Sequence, residues 1–135
     1  MNEGARLHNL QLLMRGWEVD GVLLFGMPNI RYLTGFTGSE GVLWVAADGA
    51  VLLVDGRYTT QAGGEFALGE VREFSDRADA VAELVRGKGA KTVGFESSAL
   101  FYDAYAELSK RIPEVSLKAV AEGLQTLRAR KDEEV

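Results

Sequence analysis

Few side chains of this 135-residue chain are of a type and spacing suited to covalent chemistry. It has no cysteine and a single histidine, His8, which lies beside polar Asn9 and Gln11 in a helical stretch. Without thiolates a His/Cys metal site cannot be assembled. No glycine-flanked serine stands ready for His8 to activate, so His8 is read as a surface helical histidine. Closely spaced carboxylates are able to bind a hard cation or move protons, and Glu70 with Glu73 and Asp76 with Asp79 are the nearest pairs. Asp76 and Asp79 fall in the first turn of a predicted helix, where acids offset the macrodipole. Glu70 and Glu73 flank a short strand and are read as solvated. Gly35, Gly38 and Gly41 invite comparison with a phosphate cradle, but such a loop should follow a strand and open a helix. These glycines follow a helical turn and open a strand, so they are read as supplying positive φ and close backbone approach.

Two segments are richer in chemistry than folding requires. One is Asn29-Ile30-Arg31-Tyr32-Leu33-Thr34-Gly35-Phe36-Thr37-Gly38-Ser39; the other is Asp55-Gly56-Arg57-Tyr58-Thr59-Thr60-Gln61-Ala62. Each sets an arginine beside a tyrosine near the end of a strand, where α/β folds gather ligand-facing groups. Arginine offers a planar fork to a carboxylate, and tyrosine an apolar body with a polar tip. An internal reading stands beside this one: Arg57 pairs with Asp55 or another acid, and the tyrosines pack under loops.

The elements that must position these residues follow from periodicity. Leu7, Leu10, Leu13, Met14 and Trp17 recur at helical spacing and predict a helix over 3–17. Val22–Phe25 is a short apolar run suited to a strand covered on both faces. Gly26–Asn29 reads as a turn, Ile30–Thr34 as one helical turn, and 35–41 as a loop. Val42–Ala46 and Ala50–Val54 form a hairpin through Ala47-Asp48-Gly49. Further on, the pattern predicts a helix over 57–66, a strand at Val71–Phe74 and a helix over 77–87 capped by Asp76, with Ala80, Val81, Leu84 and Val85 inward. A strand at Thr92–Phe95 precedes a helix over 99–111 with Leu100, Tyr105 and Leu108 inward, ended by Pro113, and a strand at Val115–Val120. Helices alternating with strands, with one hairpin among them, predict an α/β fold on a mixed sheet.

Composition narrows the function classes. The formal net charge is −5, from 15 Lys plus Arg against 20 Asp plus Glu. A chain that neutralises phosphates needs a basic face, so nucleic acid is not expected as partner. The longest apolar runs fall far short of the roughly 20 residues that span a bilayer, so no membrane partner is expected. The start of the chain lacks the basic and apolar regions of a secretory signal. The lack of cysteine is compatible with a reducing compartment such as the cytoplasm.

The helix-then-strand opening, "NIRYLTGFTGS", the hairpin and "DGRYTTQA" stand in an order that resembles the N-terminal domain of the creatinase/prolidase/Xaa-Pro aminopeptidase (M24 metallopeptidase) family. The closing "LQTLRARKDEEV" is similar to the junction where that family's catalytic domain begins, with Leu127, Arg128, Lys131, Asp132 and Glu134 in the pattern and Val135 in its last apolar place. The resemblance implies a mixed sheet of about six strands flanked by helices, creatinase N-terminal domain-like with a ribonuclease H-like motif. It implies an N-terminal domain over 1–122 and a linker helix over 123–135, with Leu124 and Leu127 as apolar positions, leading to a C-terminal catalytic domain that this chain lacks. In the family that second domain hydrolyses Xaa-Pro bonds with a divalent metal pair (Mn, Co or Zn), so this chain is expected to hold no catalytic residue and no metal ligand. The expected role is non-catalytic: oligomer contacts, with a homodimer expected, and gating of an active site that takes proline-containing peptides. Asn29, Arg31, Tyr32, Phe36, Arg57 and Tyr58 are the candidate substrate-rim residues. Asn29 and Tyr32 are expected to meet polar groups of the peptide and Phe36 to wall the S1 side. A peptidase-like interaction module without catalysis and the N-terminal domain of a creatinase-type amidinohydrolase are the alternatives.

Overall fold

The computed structural model describes residues 2–100, 102–120, 123–125 and 127. Its elements run α1 Glu3–Trp17, β1 Gly21–Leu24, α2 Met27–Thr34, β2 Val42–Ala46, β3 Gly49–Asp55, α3 Thr59–Glu65, β4 Glu70–Phe74, α4 Arg77–Gly87, β5 Thr92–Phe95, α5 Tyr102–Arg111 and β6 Ser116–Ala119. The strands form one six-stranded sheet in the order β4-β3-β2-β1-β5-β6. β2 is antiparallel to both β1 and β3, while the β3–β4, β1–β5 and β5–β6 pairs are parallel. Five strands therefore point one way and β2 the other. The C-terminal ends of β1, β3 and β5 meet the N-terminal end of β2 along one sheet edge.

Period-two alternation splits the apolar strand residues between two cores. Val22, Leu24, Leu43, Val45, Leu52 and Val54 pack with Leu7, Leu10 and Met14 of α1 and Ile30 and Leu33 of α2. Leu23, Trp44, Val51, Leu53, Val93 and Phe95 face the other way, against Val81, Leu84 and Val85 of α4 and Leu108 of α5. Both faces are covered, so β1, β2 and most of β3 read as continuous apolar runs instead of alternating ones. Leu124 and Leu127, in the helical residues after β6, are buried in the first core. The rest of the expected 123–135 helix lies outside the described residues.

Three elements depart from expectation. The predicted turn at Gly26–Asn29 is the cap and first turn of α2, an eight-residue helix with Pro28 at its start. Proline is tolerated there because the first-turn N–H groups have no intrahelical acceptor. α5 begins at Tyr102 instead of residue 99, and of its expected inward residues only Leu108 is buried, with Leu100 and Tyr105 partly covered. In α4 the buried stripe is Val81, Ala82, Leu84 and Val85, and Ala80 is only partly covered. The expected Asp76 cap is present, accepting from the Asp79 N–H at 3.0 Å, and Asn2 caps α1 by accepting from the Ala5 N–H at 2.9 Å.

Candidate functional site

α2 starts directly after β1, and its N-cap is Gly26, which has no side chain to satisfy the first-turn donors. The acceptor arrives from the end of β5. Glu96 is 4% exposed, and its Oε1 accepts from the Phe25 N–H at 2.9 Å and the Gly26 N–H at 2.8 Å. Its Oε2 accepts from the Asn29 side-chain amide at 2.6 Å. At its other end α2 closes on Gly35, whose φ of 79° is the left-handed conformation that glycine adopts at least cost. Thr34 Oγ then accepts from the Phe36 N–H at 3.0 Å and aims the loop back under the sheet edge.

A second cluster forms where that loop meets the end of β3. Phe36 is fully buried and meets Tyr58 edge-on, with ring centroids 5.9 Å apart and planes at 85°. Gly38 passes so close to this ring that an added Cβ would lie 2.2 Å from Phe36 Cζ. The Tyr58 hydroxyl is hydrogen-bonded to Ser39 Oγ. Arg57 forks Asp55 through Nε at 3.1 Å and Nη2 at 2.8 Å, and reaches Glu40 at 3.5 Å. Its guanidinium lies 5.1 Å from the Tyr58 ring centre, yet the side chain is 68% exposed. The Arg57 guanidinium hydrogen bond holds the Asp55 carboxyl below its ordinary range, and Asp55 in turn raises Arg57. Beyond them, Glu65 accepts from the Thr37 N–H and hydroxyl, both at 2.8 Å, and from Gln61 at 3.3 Å. These bonds, with Arg31 nearby, lower the Glu65 carboxyl.

The six rim candidates thus separate. Phe36, Arg57 and Tyr58 form one cluster, and Asn29 is held by Glu96 in another on the same sheet edge. Arg31 stands exposed on α2. Tyr32 is 8% exposed and lies under Arg6 of α1, whose guanidinium is 4.3 Å from the ring centre and donates to the Tyr32 carbonyl at 2.9 Å. Phe36 presents its ring to Tyr58 and Gly38 instead of to solvent, so its contribution at this edge is to support Tyr58. The residue that sequence reasoning missed is Glu96, since nothing in local spacing links it to partners 67–71 residues away. Its position at the C-terminal end of an apolar strand was the available signal.

The chemistry this edge offers is recognition: an exposed guanidinium, a phenol and carboxylates that are already hydrogen-bonded. His8 is exposed on α1. Among the described residues, no group of three or more His, Asp or Glu side chains is placed to hold a metal ion. A metal implied by the family therefore finds no ligand set among them. No helix among the described residues is long and apolar enough to cross a membrane.

The fold is a mixed six-stranded α/β layer with the Glu96–Asn29 and Arg57–Tyr58 clusters at one end of the sheet. The chain belongs to the creatinase/prolidase N-terminal domain family, whose model matches residues 6–130. It is 35% identical over 130 residues to the uncharacterized peptidase YqhT of Bacillus subtilis, a match that takes in 96% of this chain and 37% of that protein. Its fold is similar to that of an Xaa-Pro dipeptidase from Bacillus anthracis, with a TM-score of 0.90 and 26% identity over 98% of this chain and 38% of that one. The N-terminal domain of the cytoplasmic peptidase PepQ from Mycobacterium tuberculosis is 33% identical with a TM-score of 0.84, covering 92% of this chain and 98% of that one. The chain thus spans well under half the length of YqhT and of the dipeptidase.

Proposed function

We propose that this chain is the N-terminal domain of a cytoplasmic, metal-dependent Xaa-Pro dipeptidase or aminopeptidase, in which it makes dimer contacts and gates the active site of a C-terminal catalytic domain. The observation that carries the reading is the likeness to the B. anthracis Xaa-Pro dipeptidase over 98% of this chain. On this reading the domain proper runs over 1–122, and 123–135 is the linker leading into the catalytic domain. The burial of Leu124 and Leu127 in the first core supports an anchored junction. Catalysis and the metal pair (Mn, Co or Zn) belong to the second domain.

The sheet edge is the part of this chain that meets the peptide. Arg57 is a largely exposed cation paired with Asp55. Asp55 takes the Nε–Nη2 fork of Arg57, so the arginine serves to attract a peptide carboxylate through its charge and its Nη1 side. Tyr58, braced by Phe36, supplies an apolar wall with a hydroxyl tip, and Asn29 and Arg31 line the rest of the lip through α2, with Tyr32 covered by Arg6 behind them. The test is hydrolysis by the longer protein that carries this chain. With Mn²⁺ it should cleave Ala-Pro and Gly-Pro and leave creatine untouched. Turnover of creatine with no Xaa-Pro cleavage would move the chain to the amidinohydrolase branch, and no turnover of either, with metal bound, would make it an interaction module.

A further inference from the structure

We infer that Glu96 is the positioning residue of the α2 lip: an anionic cap, delivered from β5, that fixes where Asn29 and the start of α2 stand relative to the sheet edge. The inference rests on the lip being the substrate rim proposed above. Each oxygen of the carboxylate has its own task. Oε1 takes both backbone donors that precede α2, and Oε2 takes the Asn29 amide. The backbone of Glu96 is fixed as well, its N–H donating to the Leu23 carbonyl at 3.0 Å and its carbonyl accepting from the Ala99 N–H at 3.1 Å. The side chain is therefore held at both ends and has little freedom to follow α2 if α2 moves.

The charge has no cationic counterpart among the described residues, since no Lys, Arg or His there forms an ion pair with Glu96. Among the described residues it is met by three N–H donors and the positive end of α2. Buried carboxylates are costly unless such donors are kept in place, so Glu96 and the α2 terminus hold each other. Close approach depends on Gly26, because a Cβ there would lie 3.0 Å from Glu96 Oε2 and 3.1 Å from Ala99 Cβ. A neutral structural filler would need neither the two-oxygen division nor the amide partner.

The pair has a reciprocal form that separates positioning from mere packing. Asn29→Asp alone sets two carboxylates against each other. Glu96→Gln alone turns one acceptor into a donor facing the Asn29 amide. Together, Asn29→Asp with Glu96→Gln restores one carboxylate and one amide across the same gap. In the 135-residue chain, amide exchange at Phe25 and Gly26 is expected to rise about tenfold or more in Asn29→Asp and in Glu96→Leu, and to return towards wild type in the reciprocal double variant, with β2 and β3 amides unchanged throughout. In the longer protein, KM for Xaa-Pro peptides should rise about tenfold in the single variants with kcat less affected, and fall back in the double. A double variant no better than the singles, or exchange that rises equally in β2 and β3, would overturn the positioning role. Loosened Phe25 and Gly26 amides with KM unmoved would overturn its connection to substrate. Absence of Xaa-Pro hydrolysis by the wild-type longer protein would instead count against the function proposed above, and the exchange data would still decide the positioning role.

Discussion

Gly38→Ala tests whether the loop between α2 and β2 is built around the Phe36 ring. Gly38 does not need positive φ, so the substitution acts through space alone: the new Cβ would lie 2.2 Å from Phe36 Cζ and 2.8 Å from Cε2. The ring cannot swing into solvent without uncovering a fully buried phenyl group, and it cannot shift inward without disturbing its edge-on contact with Tyr58. Overpacking of this kind costs about 1–3 kcal/mol, and loss of the aromatic geometry about 0.5–1.5 kcal/mol more. For a domain of this size that is a fall in Tm of roughly 5–15 °C. Thermal and urea unfolding followed by tryptophan fluorescence would read it. Adding Phe36→Leu removes the clashing ring atoms, so the double variant should lose less stability than the two single changes summed, by about 1 kcal/mol. Gly63→Ala in α3 is the control, since a Cβ there meets nothing within 4 Å, and it should raise stability by about 0.5–1 kcal/mol. A Gly38→Ala variant that unfolds with the wild type, or one whose effect is additive with Phe36→Leu, would refute the reasoning.

Asp76→Ala removes the side-chain cap of α4 and should lower unfolding free energy by about 1 kcal/mol in urea titration, with Asp76→Ser retaining most of it. Asp20 carries the pH dependence of the opposite sheet edge, because the Thr92 and Lys91 N–H groups bonded to its Oδ2 hold its carboxyl below the ordinary 3.8. A carboxyl lowered on folding stabilises fully above its unfolded value and loses that contribution as pH falls through its folded value. The stability difference between wild type and Asp20→Ala should therefore be constant from pH 7 to about pH 5 and shrink below pH 4 in acid titration monitored by circular dichroism.

How much of this was legible in the sequence depended on the range of the interaction. The β5 strand at Thr92–Phe95, the β2–β3 hairpin and the Asp76 cap are local patterns, and the structure has them where periodicity and capping chemistry predict. α2 was obscured because Pro28 and Asn29 carry turn statistics, while a proline in a first helical turn is equally sound physically. Tyr32 and Phe36 sit in a segment whose composition suggests exposure, but Tyr32 is covered by α1 and Phe36 lies beneath Gly38. The pairing of Arg57 with Asp55 was one of two open readings, and the structure contains it while leaving most of the arginine exposed. The partners of Glu96 were hidden for a different reason: they are brought to it by parallel pairing of β1 with β5, a contact that no local pattern encodes.

The most direct test of the account compares peptide length dependence in the longer protein with and without the Arg57–Tyr58 pair. The proposed gating role predicts that Arg57→Ala and Tyr58→Ala change the ratio of kcat/KM for an Xaa-Pro dipeptide to that for an Xaa-Pro tetrapeptide by about tenfold, mainly through KM. An unchanged ratio in both variants, in proteins that bind metal and unfold like the wild type, would contradict it.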